Sequence, residues 1–219
     1  MNWGWISQNL ASILSRLGEH LILALLPVLI GLVIAVPLGW LANRSRVARA
    51  VLVPAAGLLY TIPSLALFIV LPLILGTQIL NPLNVVIALA IYTMALLVRS
   101  IADALAAVPG MVVAAATAMG YRPARRFAQV ELPLSVPVLV AGLRVAMVTN
   151  ISLVAVGAVI GIGGLGFFFT DGFLRGNTVE ILTGIVLIVI VALIFDALLV
   201  KAGKVATPWV GAGEKRGAR

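Results

Sequence analysis

The segment that organises this chain reads AAATAMGYRPARRFAQVELP and spans residues 114–133. It starts with small residues, passes through one glycine and three arginines, and closes on a Leu-Pro pair. Most of the chain on either side of it is apolar. This order predicts a short helix, a glycine turn, a second helix and a proline stop, all held outside the lipid. A basic module of this kind in an apolar chain indicates a surface that binds a soluble partner.

The composition of the whole chain indicates an integral membrane protein. Of its 219 residues, 63% are hydrophobic and 10% are charged, whereas soluble domains are roughly 45–50% apolar and about 25% charged. The chain has no cysteine, which excludes a disulfide framework and a thiolate metal site. Its formal charge of +8 favours basic cytoplasmic loops over nucleic-acid binding.

The hydropathy pattern predicts an all-α protein with five transmembrane helices, since a hydrocarbon core of about 30 Å needs roughly 20 apolar residues. An amphipathic helix over residues 1–20 is expected to lie at the membrane surface, with Trp3 and Trp5 at headgroup level. The alternative is a polar extension of the first span. Asn81 and Pro82 predict the capped start of the third span. The predicted spans are about 21–41, 51–75, 83–98, 136–162 and 179–200; residues 99–133 form a charged segment and 201–219 a basic tail.

The distribution of basic residues predicts the orientation. The 43–50 loop, the 99–133 segment and the tail hold three, four and five Lys or Arg residues, which is twelve of the fifteen. Basic loops stay on the cytoplasmic side of the membrane. We therefore expect a cytoplasmic C-terminus and an outside N-terminus.

Several polar residues fall within the predicted spans, where they are costly and often functional. Thr61, Pro63 and Ser64 interrupt the second span, either because they line a translocation path or because they only kink the helix. Asn150 lies at mid-span and is a further path candidate. Arg144 is interpreted as a structural intramembrane charge that snorkels or pairs with an acidic residue: Glu131, Asp103 or Asp196. His20 is expected to stand exposed at a membrane interface.

The run Gly161–Gly166 matches G-x-G-x-x-G, but a dinucleotide fingerprint requires a strand before it and a helix after it. Here it follows a membrane span, so we interpret it as a flexible outer turn. The sequence has no G-x4-G-K-[ST] motif, which excludes ATP hydrolysis by a P-loop in this chain. Catalytic pairs that an enzyme embedded in the membrane would need are also missing. An enzyme or a passive channel is therefore disfavoured.

Residues 114–133 resemble the E-A-A-x3-G-x9-I-x-L-P motif of the membrane subunits of ATP-binding-cassette (ABC) importers in bacteria. Spacing from Ala114 through Gly120 and Val130 to Leu132 and Pro133 matches throughout, while Ala114 replaces the leading Glu. Two further stretches, 60–68 and 160–166, are similar to the permeases that take up osmoprotectants: glycine betaine, choline, carnitine and proline. The resemblance covers about residues 20–200.

This resemblance implies the type I ABC importer permease fold and a location in the bacterial inner membrane. A coupling helix around residues 114–121 would insert into a separate ATPase, which would hold ATP and Mg. A second permease copy or paralogue and an extracellular solute-binding protein are the other implied partners. With only 6% aromatic residues, the chain has no aromatic cage for a quaternary ammonium, so the receptor is expected to supply affinity. The methionine-type importer is the alternative. The residues implied in ATPase coupling are Ala114, Ala115, Ala116, Gly120, Tyr121, Arg122, Arg125, Arg126, Leu132 and Pro133.

Overall fold

A computed structural model describes residues 4–209 of the protein, and that part of the chain is helical, without strands. The α-helices are α1 (Gly4–Gln8), α2 (Leu10–Arg44), α3 (Arg46–Thr61), α4 (Ser64–Leu75), α5 (Pro82–Ala106), α6 (Gly110–Ala118), α7 (Pro123–Arg126), α8 (Leu132–Val156), α9 (Phe167–Leu174) and α10 (Thr178–Ala206). A π-helical turn, Phe127–Glu131, joins α7 to α8, and two 3-10 turns, Gly157–Ile160 and Gly164–Gly166, separate α8 from α9.

Four of the described helical runs are long and apolar enough to cross a membrane, and the bent pair α3–α4 makes a fifth if it counts as one span. The four are α2, α5, the run Pro123–Ile160 and α10. This agrees with the all-α class and with the number of spans predicted. Most of the observed helices are longer than the predicted spans. Hydropathy detects only the apolar part of a helix, whereas the backbone hydrogen bonds continue through polar residues near its ends.

The centre of the bundle is α5. In its most apolar stretch 67% of residues are buried, compared with 11% in α10. The long helix α2 packs along α5, and α3 and α8 pack on its other sides. Since α10 exposes most of its apolar residues, it lies at the periphery, where lipid replaces protein neighbours.

Glycines set the close contact between α2 and α5. A Cβ atom at Gly31 would stand 2.5 Å from Thr93 Cβ, and one at Gly39 would stand 2.6 Å from Ile101 Cβ. Small residues let transmembrane helices approach until their backbones nearly touch, and dispersion contacts then hold them together. Gly142 on α8 has the same role against Ser100 on α5, whose Oγ would be 2.3 Å from an added Cβ.

The separate surface helix predicted for residues 1–20 is not what the structure shows. The helix α2 runs without a break from Leu10 to Arg44, so residues 10–20 are the polar extension of the first span. Pro27 and Pro37 lie inside α2 without ending it. Trp5 packs edge-on against Phe168, with ring centroids 5.7 Å apart, and is thus held against protein. Trp3 lies outside the described residues.

The second predicted span, 51–75, is broken in the middle. The helices α3 and α4 meet at Ile62 and Pro63 and are bent by 101°. Pro63 disfavours the helical conformation in the residue before it, and Ile62 is extended, with φ −64° and ψ 129°. The Tyr92 hydroxyl donates a hydrogen bond to the Ile62 carbonyl. This bond satisfies a backbone group that the break removes from the helical ladder.

The third and fifth predicted spans correspond to α5 and α10, and the predicted cap is confirmed. Asn81 accepts a hydrogen bond from the Leu83 N–H at 3.0 Å, and Pro82 is the first residue of α5. The helix α10 continues past residue 200 to Ala206, so it includes the start of the predicted tail. The tail residues Lys215, Arg216 and Arg219 lie outside the described part.

The glycine run after α8 is exposed at Gly161 and buried over residues 162–166, and it packs against α2. Gly161 and Gly164 have φ of 86° and 48°, and a Cβ at Gly164 would stand 2.6 Å from His20 Cβ. The Leu165 N–H donates to His20 Nδ1 at 3.3 Å. The prediction that His20 is exposed is therefore wrong, because this turn covers it completely. The run connects one helix to the next, which agrees with its interpretation as a turn between helices.

Candidate functional site

The helix α6 and the turn after it form a small module outside the long helices. The helix was predicted over 114–121, but it begins four residues earlier, at Gly110, and ends at Ala118. Gly120 has φ 81° and donates its N–H to the Thr117 carbonyl at 3.0 Å, while the Tyr121 N–H reaches the Ala116 carbonyl at 3.2 Å. These two bonds are the Schellman motif. The prediction of a left-handed glycine that ends the helix is confirmed.

One face of α6 is exposed. We define the docking face as six of the exposed residues of α6 and its cap: Met111, Val112, Ala114, Ala115, Ala118 and Met119. Met111 is 85% exposed and Met119 is 71% exposed. Ala116 is buried, so it points towards the chain itself. The alanines of the docking face present only methyl groups, which permits close approach by another backbone.

Arg126 does not extend from the surface as the sequence interpretation expects. Its Nε donates to Glu131 Oε1 at 2.5 Å and its Nη1 donates to Thr117 Oγ1 at 2.7 Å. Glu131 is almost fully buried. Arg126 thus links α6, through Thr117, to the residue immediately before α8. Arg126, one of the residues that the resemblance implies in ATPase coupling, is therefore ion-paired within this chain.

Arg122 and Arg125 remain at the surface. Arg125 donates to Gln129 at 2.9 Å and lies over the Tyr121 ring, 5.2 Å from its centroid. Arg122 is exposed, and within residues 4–209 its side chain makes no hydrogen bond or ion pair. These two arginines flank the docking face and leave positive charge available to an acidic partner.

Leu132 and Pro133 do not stop a helix. They lie in a continuous helical run from Pro123 to Ile160, entered through the π-helical turn. Pro133 has no N–H to offer to the ladder, and the Leu132 N–H reaches the Phe127 carbonyl five residues back. This wider turn leaves Arg126 and Glu131 close enough to pair. The module is therefore joined directly to a membrane-spanning helix.

The residues predicted to line a path lie in two different environments. Thr61 and Pro63 are exposed and Ser64 is half-buried at the break between α3 and α4. Tyr60, also exposed, packs against Tyr92 with ring centroids 5.7 Å apart. In contrast, Asn150 is buried and donates to Thr93 Oγ1 at 2.9 Å. Asn150 therefore joins α8 to α5 and lines no open surface in this structure.

Arg144 forms a two-pronged ion pair with one of the three carboxylates predicted as its partners. Its Nε and Nη2 donate to the two carboxylate oxygens of Asp196 at 2.6 and 2.8 Å. Asp103 instead pairs with Arg49 and lies 3.7 Å from Arg99. Arg144 thus pairs with an acidic residue, and α10 supplies that partner.

The partners in two of these contacts could not be predicted from the sequence. The pairing of Arg126 with Glu131 spans five residues, which is not a spacing at which side chains meet on an α-helix, and it depends on the π-helical turn. The bond from Tyr92 to Ile62 joins positions thirty residues apart. Pro133 and Pro63 marked the two places, but neither proline identified the partner side chain.

Comparison with known proteins identifies a family and similar proteins. Residues 21–204 match the family described as the binding-protein-dependent transport system inner membrane component. The osmoprotectant import permease protein OsmW of Salmonella typhimurium is 34% identical over 93% of this chain and 96% of that protein. A glycine betaine/carnitine/choline transport system permease protein of Bacillus subtilis, OpuCD, is 30% identical over 89% of this chain and 84% of that protein.

A solved structure shows the same fold. The permease chain from an inward-facing structure of the MetNI methionine ABC transporter superposes with a TM-score of 0.79 at 24% identity, covering 89% of this chain and 96% of that chain. This likeness supports the type I importer permease architecture that the sequence resemblance implied.

Proposed function

Since this chain belongs to the family of inner membrane components of binding-protein-dependent transport systems, we propose that it forms the solute path of an osmoprotectant importer. The observation that carries the solute class is its similarity, over nearly its whole length, to an osmoprotectant import permease. Glycine betaine, choline, carnitine and proline are the solutes to be tested. They are small and carry a cationic nitrogen, and all but choline also carry a carboxylate.

The motor of this importer is a separate ATPase that binds the docking face. The alanine methyl groups of α6 fit into a cleft, and Arg122 and Arg125 pair with acidic groups beside it. Movement of α6 passes to α8 through the Arg126–Glu131 ion pair and the continuous helical run beginning at Pro123. ATP and Mg belong to the ATPase, and the P-loop motif is missing from this sequence.

The path lies between two permease chains, either two copies of this one or this one and a paralogue, because four or five spans enclose no path on their own. Thr61, Pro63 and Ser64 contribute to it at the exposed break between α3 and α4. An extracellular solute-binding protein delivers the solute. ATP favours the outward-open state because it binds more tightly to the closed ATPase dimer.

The membrane is the bacterial inner membrane, and the coupling segment, which we define as residues 99–133, faces the cytoplasm. This orientation follows from the basic residues of the 43–50 loop, the coupling segment and α10's end. It places the loop after α4 and the loop before α10 outside. Cytoplasmic placement is also what an intracellular, ATP-driven partner requires.

Uptake of radiolabelled solutes tests the proposal. The chain is expressed with an ATPase and a receptor of an osmoprotectant importer, in cells that lack their own osmoprotectant importers. We expect ATP-dependent uptake of glycine betaine, choline, carnitine or proline, and no competition by methionine. Uptake of methionine alone would replace the solute class. Full-rate transport by vesicles that hold only this chain and no nucleotide would overturn the importer function in favour of a passive channel.

A further inference from the structure

The Arg144–Asp196 pair lies inside the membrane yet is open on one side. The exposed fractions of the two side chains are 40% and 31%, although both belong to helices long and apolar enough to span a bilayer. Charges in transmembrane helices face the bundle interior or a water-filled cavity, because lipid cannot solvate them. The open side of the pair is therefore a surface that lipid does not cover.

The depth of the pair supports this conclusion. Asp196 precedes Lys201, the first basic residue of α10, by five residues, or about 7–8 Å at a rise of about 1.5 Å per residue. Arg144 follows Pro137 by seven residues on α8. Both charges thus lie within the apolar part of their helices, Arg144 at the middle of α8 and Asp196 in the half of α10 nearer its basic end.

The surface around the pair differs from the lipid-facing side of α10. The residues of α8 beside the pair that are not buried include the small or polar Ala141, Thr149 and Ser152 as well as the two valines Val145 and Val148. The exposed residues of α10 include the large apolar side chains Ile190, Leu193 and Ile194. A groove of about 460 Å³, lined by the pair with Ala141, Val145, Val148 and Thr149, opens along α8.

A second polar groove adjoins the first across Val145. It is lined on α5 by Leu96, Arg99, Ser100 and Asp103 and on α8 by Gly142 and Val145. Both grooves lack an outer wall in the single chain, as expected where a second permease chain completes them. The polar side chains of three helices therefore border one uncovered strip. This strip has the character of a translocation path.

The hydrogen-bonding capacity of the pair is only half used. A guanidinium has five N–H donors and a carboxylate has about four lone-pair sites, whereas two donors and two lone pairs are engaged here. Together the two groups form a neutral dipole with its positive end on α8 and its negative end on α10. The ligand that complements such a dipole carries both charges in the opposite order.

We propose that the Arg144–Asp196 pair is a solute-binding station in the translocation path, and that it takes small zwitterions carrying a carboxylate and a cationic nitrogen. The solute carboxylate accepts hydrogen bonds from the free guanidinium N–H groups, and its cationic nitrogen lies beside Asp196. The pair stays intact, so no uncompensated charge is left in the membrane when the solute leaves. This inference rests on the proposed function.

Neutral substitution of both partners tests the station. The variant Arg144→Gln/Asp196→Asn leaves no unpaired charge behind, so its insertion and folding are preserved better than by either single change. We expect the initial rate of glycine betaine uptake at saturation to fall about ten- to a hundredfold relative to wild type, the range that charge-assisted hydrogen bonds support. Choline uptake should fall less than glycine betaine uptake, since choline loses only the contact of its nitrogen with Asp196 and has no carboxylate for Arg144.

A second readout does not depend on choline being a substrate. It is the amount of glycine betaine imported per ATP hydrolysed, which we expect to fall in the same variant. The matched control is Arg16→Gln/Glu19→Gln, which removes an ion pair of similar exposure, 31% and 35%, away from both grooves. This control should leave both quantities near the wild-type values.

The outcomes separate the station from the function on which it rests. Parallel loss of glycine betaine and choline uptake, or an unchanged yield of glycine betaine per ATP, would reduce the pair to a structural link and overturn the station alone. Failure of the wild-type protein to import any of these solutes would overturn the proposed function, and the station with it.

Discussion

Gly120 is the residue whose backbone conformation matters most for the proposed coupling. With φ of 81° it is in the left-handed region, and a Cβ there would meet no atom within 4 Å. The cost of a side chain at this position is therefore conformational, about 1–2 kcal/mol for the left-handed helical region, and larger for a β-branched residue. A side chain at position 120 has room, but the left-handed backbone conformation is unfavourable for it.

Replacement of Gly120 with Val should uncouple ATP hydrolysis from solute uptake while the protein still inserts into the membrane. The Schellman bonds that end α6 depend on this turn, so the docking face would shift against the ATPase. The measurement is the ratio of solute imported to ATP hydrolysed in proteoliposomes. Gly176 is a matched control, because its φ is 64° with no atom within 4 Å of an added Cβ. Undiminished uptake by Gly120→Val, or equal uncoupling by Gly176→Val, would contradict the role.

Arg126 supplies a second prediction at this scale. Removal of one partner from a mostly buried ion pair costs about 3 kcal/mol, since the other charge stays behind, and the two side chains here are only 23% and 6% exposed. Arg126→Gln should lower the free energy of unfolding by about this amount. Arg125→Gln, at an exposed position, should change it by less than about 0.5 kcal/mol.

Thermal unfolding in detergent compares these two variants. The double change Arg126→Gln/Glu131→Gln should recover part of the loss, because a neutral amide pair leaves no buried charge alone. Equal unfolding temperatures for Arg126→Gln and Arg125→Gln would show that the ion pair adds nothing to stability.

The contact between α2 and α5 is the element-level feature that the fold depends on most. At Gly39 the two helices are in close contact, and Ile101 would stand in the way of any Cβ. Gly18 lies on the same helix, and nothing stands within 4 Å of a Cβ added there. The two glycines differ in their surroundings: a neighbouring helix lies against Gly39, and no atom lies near a Cβ at Gly18.

Alanine at the two glycines should have opposite effects. Gly39→Ala forces α2 away from α5 and should destabilise the protein by about 1–3 kcal/mol, the usual cost of overpacking. Gly18→Ala should stabilise it by about 0.5–1 kcal/mol, because alanine is the better helix former. Unfolding temperatures of purified protein measure both changes. A stabilised Gly39→Ala variant would mean that the two helices can separate at no cost.

Elements differ in how far the sequence predicts them. The apolar runs predicted the number of spans, and Asn81 and Pro82 marked the start of α5. The break in the second span was visible as Pro63, but its 101° bend was not, since a proline permits a kink without setting its angle. The run of residues 10–44 was split wrongly because polar side chains at a helix end resemble a separate amphipathic helix.

The orientation in the membrane is the prediction that concerns the whole molecule. The natural chain has no cysteine, so single cysteines can be labelled without background. A membrane-impermeant maleimide added to spheroplasts should label Gln78→Cys and Leu174→Cys, which occupy exposed positions near the proposed outer loops. Arg122→Cys and Lys204→Cys should react only after the membrane is permeabilised. Labelling of Arg122→Cys from outside would reverse the topology and exclude docking to a cytoplasmic ATPase.

At this scale, too, the candidate site was predicted in part. Position and spacing located the module around Gly120, and the left-handed turn followed from the glycine itself. The partner of Arg126 did not follow, that of Arg144 was only narrowed to three carboxylates, and the burial of Asn150 and His20 was not predicted. Each of these depends on a side chain brought near by packing: Asp196 lies 52 residues from Arg144, and Leu165 lies 145 residues from His20.

The reason for this division is the solvent. In a bilayer, the side of a helix that faces lipid and the side that faces protein are both apolar, so hydropathy identifies a span and says little about which side packs. Composition, basic loops, glycines and prolines were therefore sufficient for the class, the spans and the turn at Gly120. The central place of α5, the covered His20 and the open Arg144–Asp196 pair depend on which helices become neighbours, and only the packed tertiary structure determines that.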